Sequence, residues 1–151
     1  MTKYFPFYFI VFLLSYLIMT SGLHGDDYTV INSFNGYSFW NFIGQTPDEV
    51  GSWILNPVSF YGLWWAYALL GNEYQIIYDL IKILSSVISV YLIFRFFSDY
   101  MSYDRAIIAS FIFVLYPLHD TTLYWYMTLQ YILAPAILLY AHHLIRNNKI
   151  R

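Results

Sequence analysis

Two adjacent carboxylates, Asp26 and Asp27, follow His24 and Gly25 directly after the first long apolar run of the chain, 4–23. Acids placed where a chain leaves a bilayer have two chemistries open to them. One can take a proton from a hydroxyl that the other orients, or the pair can hold a divalent cation such as Mg or Mn. The plain alternative is that they cap the next element and keep a turn hydrated. A second His/Asp unit, His119-Asp120, lies far along the chain. If both acidic motifs sit on one side of a membrane they can converge on one substrate, or on one metal held between Asp27 and Asp120. Asp79 and Lys82 stand near the start of the apolar run 75–97, three residues apart and so on one helix face. They read either as a mutual ion pair with a snorkelling lysine, or as a cation offered to a phosphate.

Composition sets what must position these groups. Of 151 residues, 60% are apolar and 11% charged, against roughly 45–50% and 25% in soluble chains, which points to an integral membrane protein. Aromatics reach 23%, as expected of long contact with membrane lipids at the interface. With no cysteine, disulfides and thiolate metal sites are excluded, and no basic cluster invites nucleic acid. Apolar runs at 4–23, 75–97, 106–118 and 123–145 predict helices. The first is read as a retained span, because Ser21-Gly22-Leu23-His24 makes a poor signal cleavage site.

A fifth stretch, 53–71, is apolar but broken by Asn56-Pro57 and Gly62. Keeping it on the outer side places Lys3, Arg95, Arg105, Arg146, Lys149 and Arg151 together on the inner side, with no Lys or Arg outside. That is the charge bias of cytoplasmic loops. The expected fold is therefore an all-α integral membrane protein, a single membrane domain over 1–151 with four transmembrane helices at about 4–23, 75–97, 104–122 and 123–145. Both termini are cytoplasmic in an inner or plasma membrane. The large outer loop, 24–74, carries an amphipathic helix lying in the interface with Trp64 and Trp65 at headgroup depth. Pro117 should end or kink the third span. His142-His143 read as interfacial groups near the inner end of the fourth.

The order of these features resembles a known group. An acidic pair follows the first span. Then come Asn56-Pro57, the aromatic run Phe60-Tyr61-Gly62-Leu63-Trp64-Trp65-Ala66-Tyr67-Ala68-Leu69-Leu70, and Gly71-Asn72-Glu73-Tyr74. A span closing on Tyr91-Leu92-Ile93-Phe94-Arg95-Phe96-Phe97 leads to another closing on Tyr116-Pro117. Over nearly its whole length the chain resembles the N-terminal part of GT-C superfamily membrane glycosyltransferases, which include protein mannosyltransferases and aminoarabinose transferases. Those enzymes move a sugar from a polyprenyl-phosphate carrier to an acceptor on the non-cytoplasmic face, at the cell envelope. They have many more spans, so the resemblance implies an N-terminal piece or a shortened relative.

The resemblance places the acid of the first outer loop on Asp26 or Asp27, as general base or acceptor-orienting group, and the second acidic site on Asp120 with His119 beside it. Lys82, His24, His119 or a metal on Asp27 and Asp120 would face the leaving phosphate, and Trp64 and Trp65 would hold the lipid carrier. The chain departs from the group at Asp79, where many members carry an arginine early in the second span. It departs again over 121–130, which lacks the Arg-x-x-Asp-like element many members have after the proline. Two alternatives are a non-catalytic subunit that stabilises a larger membrane partner, and a translocator of lipid or small solute lined by Asp79 and Lys82.

Overall fold

Apolar runs bounded by turn residues become helices, and in the computed structural model every regular element among the described residues is helical. Those residues are 5–34, 38, 60–116 and 120–147. In chain order they form α1 (Phe5–Ile18), α2 (Asp26–Ser33), a π-helical turn (Phe60–Trp64) running into α3 (Trp65–Leu70), α4 (Gln75–Phe97), α5 (Tyr103–Leu115), α6 (Asp120–Tyr124), a 3₁₀ turn (Tyr126–Thr128) and α7 (Gln130–Arg146). The long helix α4 is the hub, packing against α1, α5 and α7. Two stretches, Gln75–Phe97 and Tyr126–Arg146, are long and apolar enough to cross a membrane.

The other two apolar helices are shorter than the sequence suggests. α1 has 14 residues and rises about 21 Å, against ~30 Å of hydrocarbon. It stops at Ile18 because Thr20 turns to φ 71° and the next residues are drawn onto a side chain of α4. α5 has 13 residues and ends at Leu115, where Tyr116 takes ψ 132°. The proline at 117 enforces this on the residue before it. The last apolar run does not begin as one helix at 123. Its first residues make α6 and the 3₁₀ turn before α7 starts at Gln130.

The stretch expected to lie in the interface is instead packed inward. Leu63, Trp64, Ala66 and Tyr67 are buried together with Val30, Phe34, Tyr78 and Tyr126. The part of that stretch before Phe60, including Asn56-Pro57, lies outside the described residues, as do Lys3, Pro117, Lys149 and Arg151.

The distribution of side chains on α4 is inverted relative to a helix on a water-soluble protein. Its buried face carries Asp79, Lys82, Ser85, Ser86 and Ser89, while Ile76, Leu80, Leu84, Ile88 and Tyr91 are 41–60% exposed. α1 also turns large apolar rings outward, with Tyr8, Phe12 and Tyr16 at 68–77% exposure, while its buried face, Ile10, Leu14 and Ile18, is apolar. Small polar residues between helices and large apolar ones outside are the arrangement lipid favours, since only the interior offers partners to polar groups. Ser89 and Ser110 donate to the carbonyls of Ser85 and Ala106, each within its own helix. Their hydroxyls are thereby satisfied inside the buried interior.

Leu84 lies near the middle of α4 and is 60% exposed. If that face meets lipid, Leu84→Arg should cost about 2.5–3.5 kcal/mol of insertion, seen as a reduced fraction in carbonate-washed membranes. A water-facing leucine would tolerate the change within about 0.5 kcal/mol, so unchanged membrane retention would refute a lipid-facing surface.

Candidate functional site

The acidic pair is split by the phase of one helix. Neighbouring residues on an α-helix point about 100° apart, and α2 turns Asp27 into the protein while Asp26 remains exposed. Asp27 is fully buried and accepts four hydrogen bonds. The Tyr67 hydroxyl donates to it at 2.7 Å, and the backbone N–H groups of His24, Met127 and Tyr126 donate at 2.9, 2.8 and 3.3 Å. His24 returns the contact, its carbonyl accepting the Asp27 N–H at 2.9 Å. One carboxylate thus ties together the start of α2, α3 and the 3₁₀ turn that leads into α7.

Around Asp27 stand three tyrosines. The Tyr126 ring meets Tyr67 and Tyr78 edge-on, at 5.1 and 4.8 Å between centroids. Such pairs add roughly 0.5–1.5 kcal/mol beyond the area they bury. Tyr126 donates to the Leu63 carbonyl and Tyr78 to the Gly71 carbonyl, each at 2.6 Å. Burial, and then the neighbouring Asp27 charge, push the Tyr67 phenol far above its ordinary range, so it remains a proton donor to the carboxylate.

A second buried acid lies one layer further into the bundle. Asp79 accepts from the Thr20 and Gly22 N–H groups at 2.8 Å and from the Ser21 hydroxyl at 3.1 Å. Lys82, 0% exposed, pairs with it at 2.9 Å. The ammonium also reaches the Ser21 hydroxyl and the Gly22 carbonyl, both at 2.6 Å, and the Tyr124 carbonyl at 2.9 Å. Gly22 is required at this spot: its φ is +61°, and an added Cβ would stand 2.5 Å from Gln75 Oε1. That oxygen already accepts the Leu23 N–H at 2.7 Å.

Of the residues singled out from sequence, Asp26, Asp27 and Lys82 gather at the Gln75 end of α4, in different states. Of the two readings open for Lys82, the structure shows the ion pair, buried instead of snorkelling outward, and its three N–H donors already face four oxygens inside the protein. Trp64 is 2% exposed, so its ring faces the protein core instead of an interface, while Trp65 is half-buried with its indole N–H on the Gly62 carbonyl at 3.2 Å. His119 and the Asp120 side chain lie outside the described residues. Among the described residues no three His, Asp or Glu side chains converge as metal ligands. The His24 Nε2 is buried without a hydrogen-bond partner among the described residues.

The sequence reading did not anticipate the cluster at the opposite end. His143, placed there as an interfacial residue, is 4% exposed with Nδ1 2.6 Å from Asp99. Asn147 donates to the same carboxylate at 3.2 Å, and Arg95 comes within 3.5 Å of His143 Nε2. Burial opposes the Asp99 charge, but the bonds from His143 and Asn147, with Arg146 near, outweigh it and hold the carboxyl below its usual range. The sequence signal was Asn147 four residues after His143, one turn on; the Asp99 partner is too distant in sequence to read.

Two expectations follow. Asp27→Ala strands four donors and should destabilise by about 3 kcal/mol or more, whereas Asp26→Ala should cost less than about 1 kcal/mol, both read by thermal unfolding in detergent. Equal losses would contradict the division of the pair. Because Asp99 has a lowered folded-state pKa, its contribution is fully present above the unfolded value near ~4 and is lost as the pH falls through the lower folded one. The Tm gap between Asp99→Asn and the native chain should thus be open at neutral pH and narrow in acid; a gap independent of pH would exclude the carboxylate charge as its source.

Compared with protein-family models, with curated proteins and with solved structures, the chain matches none.

Proposed function

We propose that the chain is a membrane-embedded glycosyltransferase of the GT-C type, or the N-terminal portion of one, with Asp26 as its acceptor-activating acid. In this reading four helices, α1, α4, α5 and the Tyr126–Arg146 stretch, cross the membrane, and the Gln75 end of α4 faces the non-cytoplasmic side. The observation that carries it is the unequal acidic pair. Asp27 uses its lone pairs to fix the first turn of α2 against α3 and the 3₁₀ turn before α7, and so Asp26 is presented to solvent on a rigid platform. A general base needs both an accessible carboxylate and a fixed position. The inverted α4 supports the membrane setting.

In the proposed reaction an acceptor hydroxyl attacks the anomeric carbon of a sugar on a polyprenyl phosphate. The new C–O bond forms as the bond to the phosphate oxygen breaks, the electron pair leaves with the phosphate, and the hydroxyl proton passes to Asp26. The departing phosphate calls for a positive partner. Lys82 would have to surrender internal bonds to supply one, which leaves His24, His119 or a divalent ion on Asp27 and Asp120 for that role. Asp27 could join such an ion only by giving up its present donors.

One observation favours a second reading, a non-catalytic membrane subunit. Among the described residues Lys82 is the one Lys or Arg at the Gln75 end, and its ammonium is already engaged. A translocator is supported less, because a path along Asp79 and Lys82 would have to open contacts of 2.6–3.1 Å to two other segments, the turn after α1 and the end of α6.

The test is transfer from polyprenyl-phosphate hexoses in proteoliposomes. Asp26→Asn should lower the rate by about a hundredfold or more while leaving Tm and insertion unchanged. Full transfer by that variant would overturn the assignment of Asp26, and absence of transfer by the native chain across the donor panel would favour the subunit.

A further inference from the structure

At the Phe97 end of the bundle, away from the acidic pair, a groove of about 640 Å³ opens sideways between α1, α4 and α5. Its volume lies within the roughly 300–1,000 Å³ of small-ligand sites. Phe94 forms the floor, met edge-on by Phe7 at 5.2 Å and by Tyr103 at 5.5 Å. Val11, Val87 and Ile88 form the walls, and Val11 and Ile88 are 39% and 41% exposed, so the groove opens on the same apolar surface that suits lipid. From Val87 to Arg95 the helix rises about 12 Å, enough to run alongside a length of hydrocarbon chain.

Charge at one end selects the occupant. Arg95 closes the groove, donating to the Tyr91 hydroxyl at 3.0 Å and lying 5.9 Å from the centre of its ring. A guanidinium has five N–H donors, and among the described residues Tyr91 and His143 engage two. Asp99, one turn further, is taken up by His143 and Asn147 and forms no ion pair with Arg95 among the described residues. A planar cation over an apolar channel is matched by a phosphate that carries a hydrocarbon tail.

We propose that this groove binds one anionic phospholipid, with an acyl chain along Phe94 and its phosphate on Arg95. The inference rests on the chain lying in a bilayer and is independent of sugar transfer. It fails or stands whatever the role of Asp26.

The experiment is to reconstitute the full chain in equimolar phosphatidylglycerol and phosphatidylcholine, extract it mildly, and count retained lipids by native mass spectrometry. One phosphatidylglycerol per chain should be retained, enriched roughly fivefold over phosphatidylcholine. Arg95→Gln should bring the ratio to about one while lipid is still retained, and Val87→Trp should remove the retained lipid by filling the groove. Arg105→Gln, an exposed arginine outside the groove, should change neither. Equal retention of the two lipids by the native chain, or undiminished enrichment in a folded Arg95→Gln, would overturn the proposal. So would displacement of phosphatidylglycerol by equimolar polyprenyl phosphate, which would make the groove a carrier site instead. Thermal unfolding of each variant separates loss of binding from loss of fold.

Discussion

The Lys82 ammonium sits in an interior where an isolated charge would cost several kcal/mol even after relaxation. It is tolerated because oxygens from three parts of the chain surround it: Asp79 on its own helix, Ser21 and Gly22 after α1, and Tyr124 at the end of α6. Removing any one leaves either the cation or Asp79 short of partners. The same constraint explains why α1 stops at Ile18, since the residues after it must unwind to bring their N–H groups to Asp79. Helix length, loop conformation and the approach to α7 are all set by the need to house one ion pair.

Asp27 repeats this logic one layer outward, with neutral donors in place of a cation. Its four donors come from segments up to 100 residues away in sequence. A buried carboxylate so surrounded holds the backbone of α2 and of the 3₁₀ turn in one relative position. The tyrosines add edge-on ring contacts, and their hydroxyls donate to Asp27 and to the carbonyls of Leu63 and Gly71, so no phenol of the three is left unpaired in the core. Positioning of Asp26 is thus inherited from its neighbour.

Much of the helical layout was legible because apolar runs and prolines act locally. The 75–97 run appears as α4 with those bounds, and the halt of α5 before Pro117 follows from the restriction a proline places on its predecessor. The i, i+3 spacing put Asp79 and Lys82 on one face but left a mutual pair and a phosphate-facing cation equally open; the oxygens that enclose Lys82 come from distant segments. What could not be read was phase and distance. An eight-residue helix of mixed composition gives no hint of whether Asp26 or Asp27 faces inward. Trp64 turns into the core because Val30, Phe34 and Tyr126 wait for it there, which is a tertiary fact. The bond between His143 and Asp99 spans 44 residues and leaves no periodic trace.

The serines of the bundle carry a mechanical consequence. Ser89 and Ser110 direct their hydroxyls at their own helices, so these two side chains put no directional lock between one helix and the next. The polar latches lie at the two extremities of α4: Asp79 and Lys82 hold residues 20–22 and Tyr124 at one, and Asp99 holds His143 of α7 at the other. The bundle is therefore built like a sleeve bearing pinned at both ends. Between the latches the helices meet through apolar side chains such as Leu14, Val90, Val114 and Ile132, contacts without direction, so releasing one latch would leave α4 and α7 to pivot about the other.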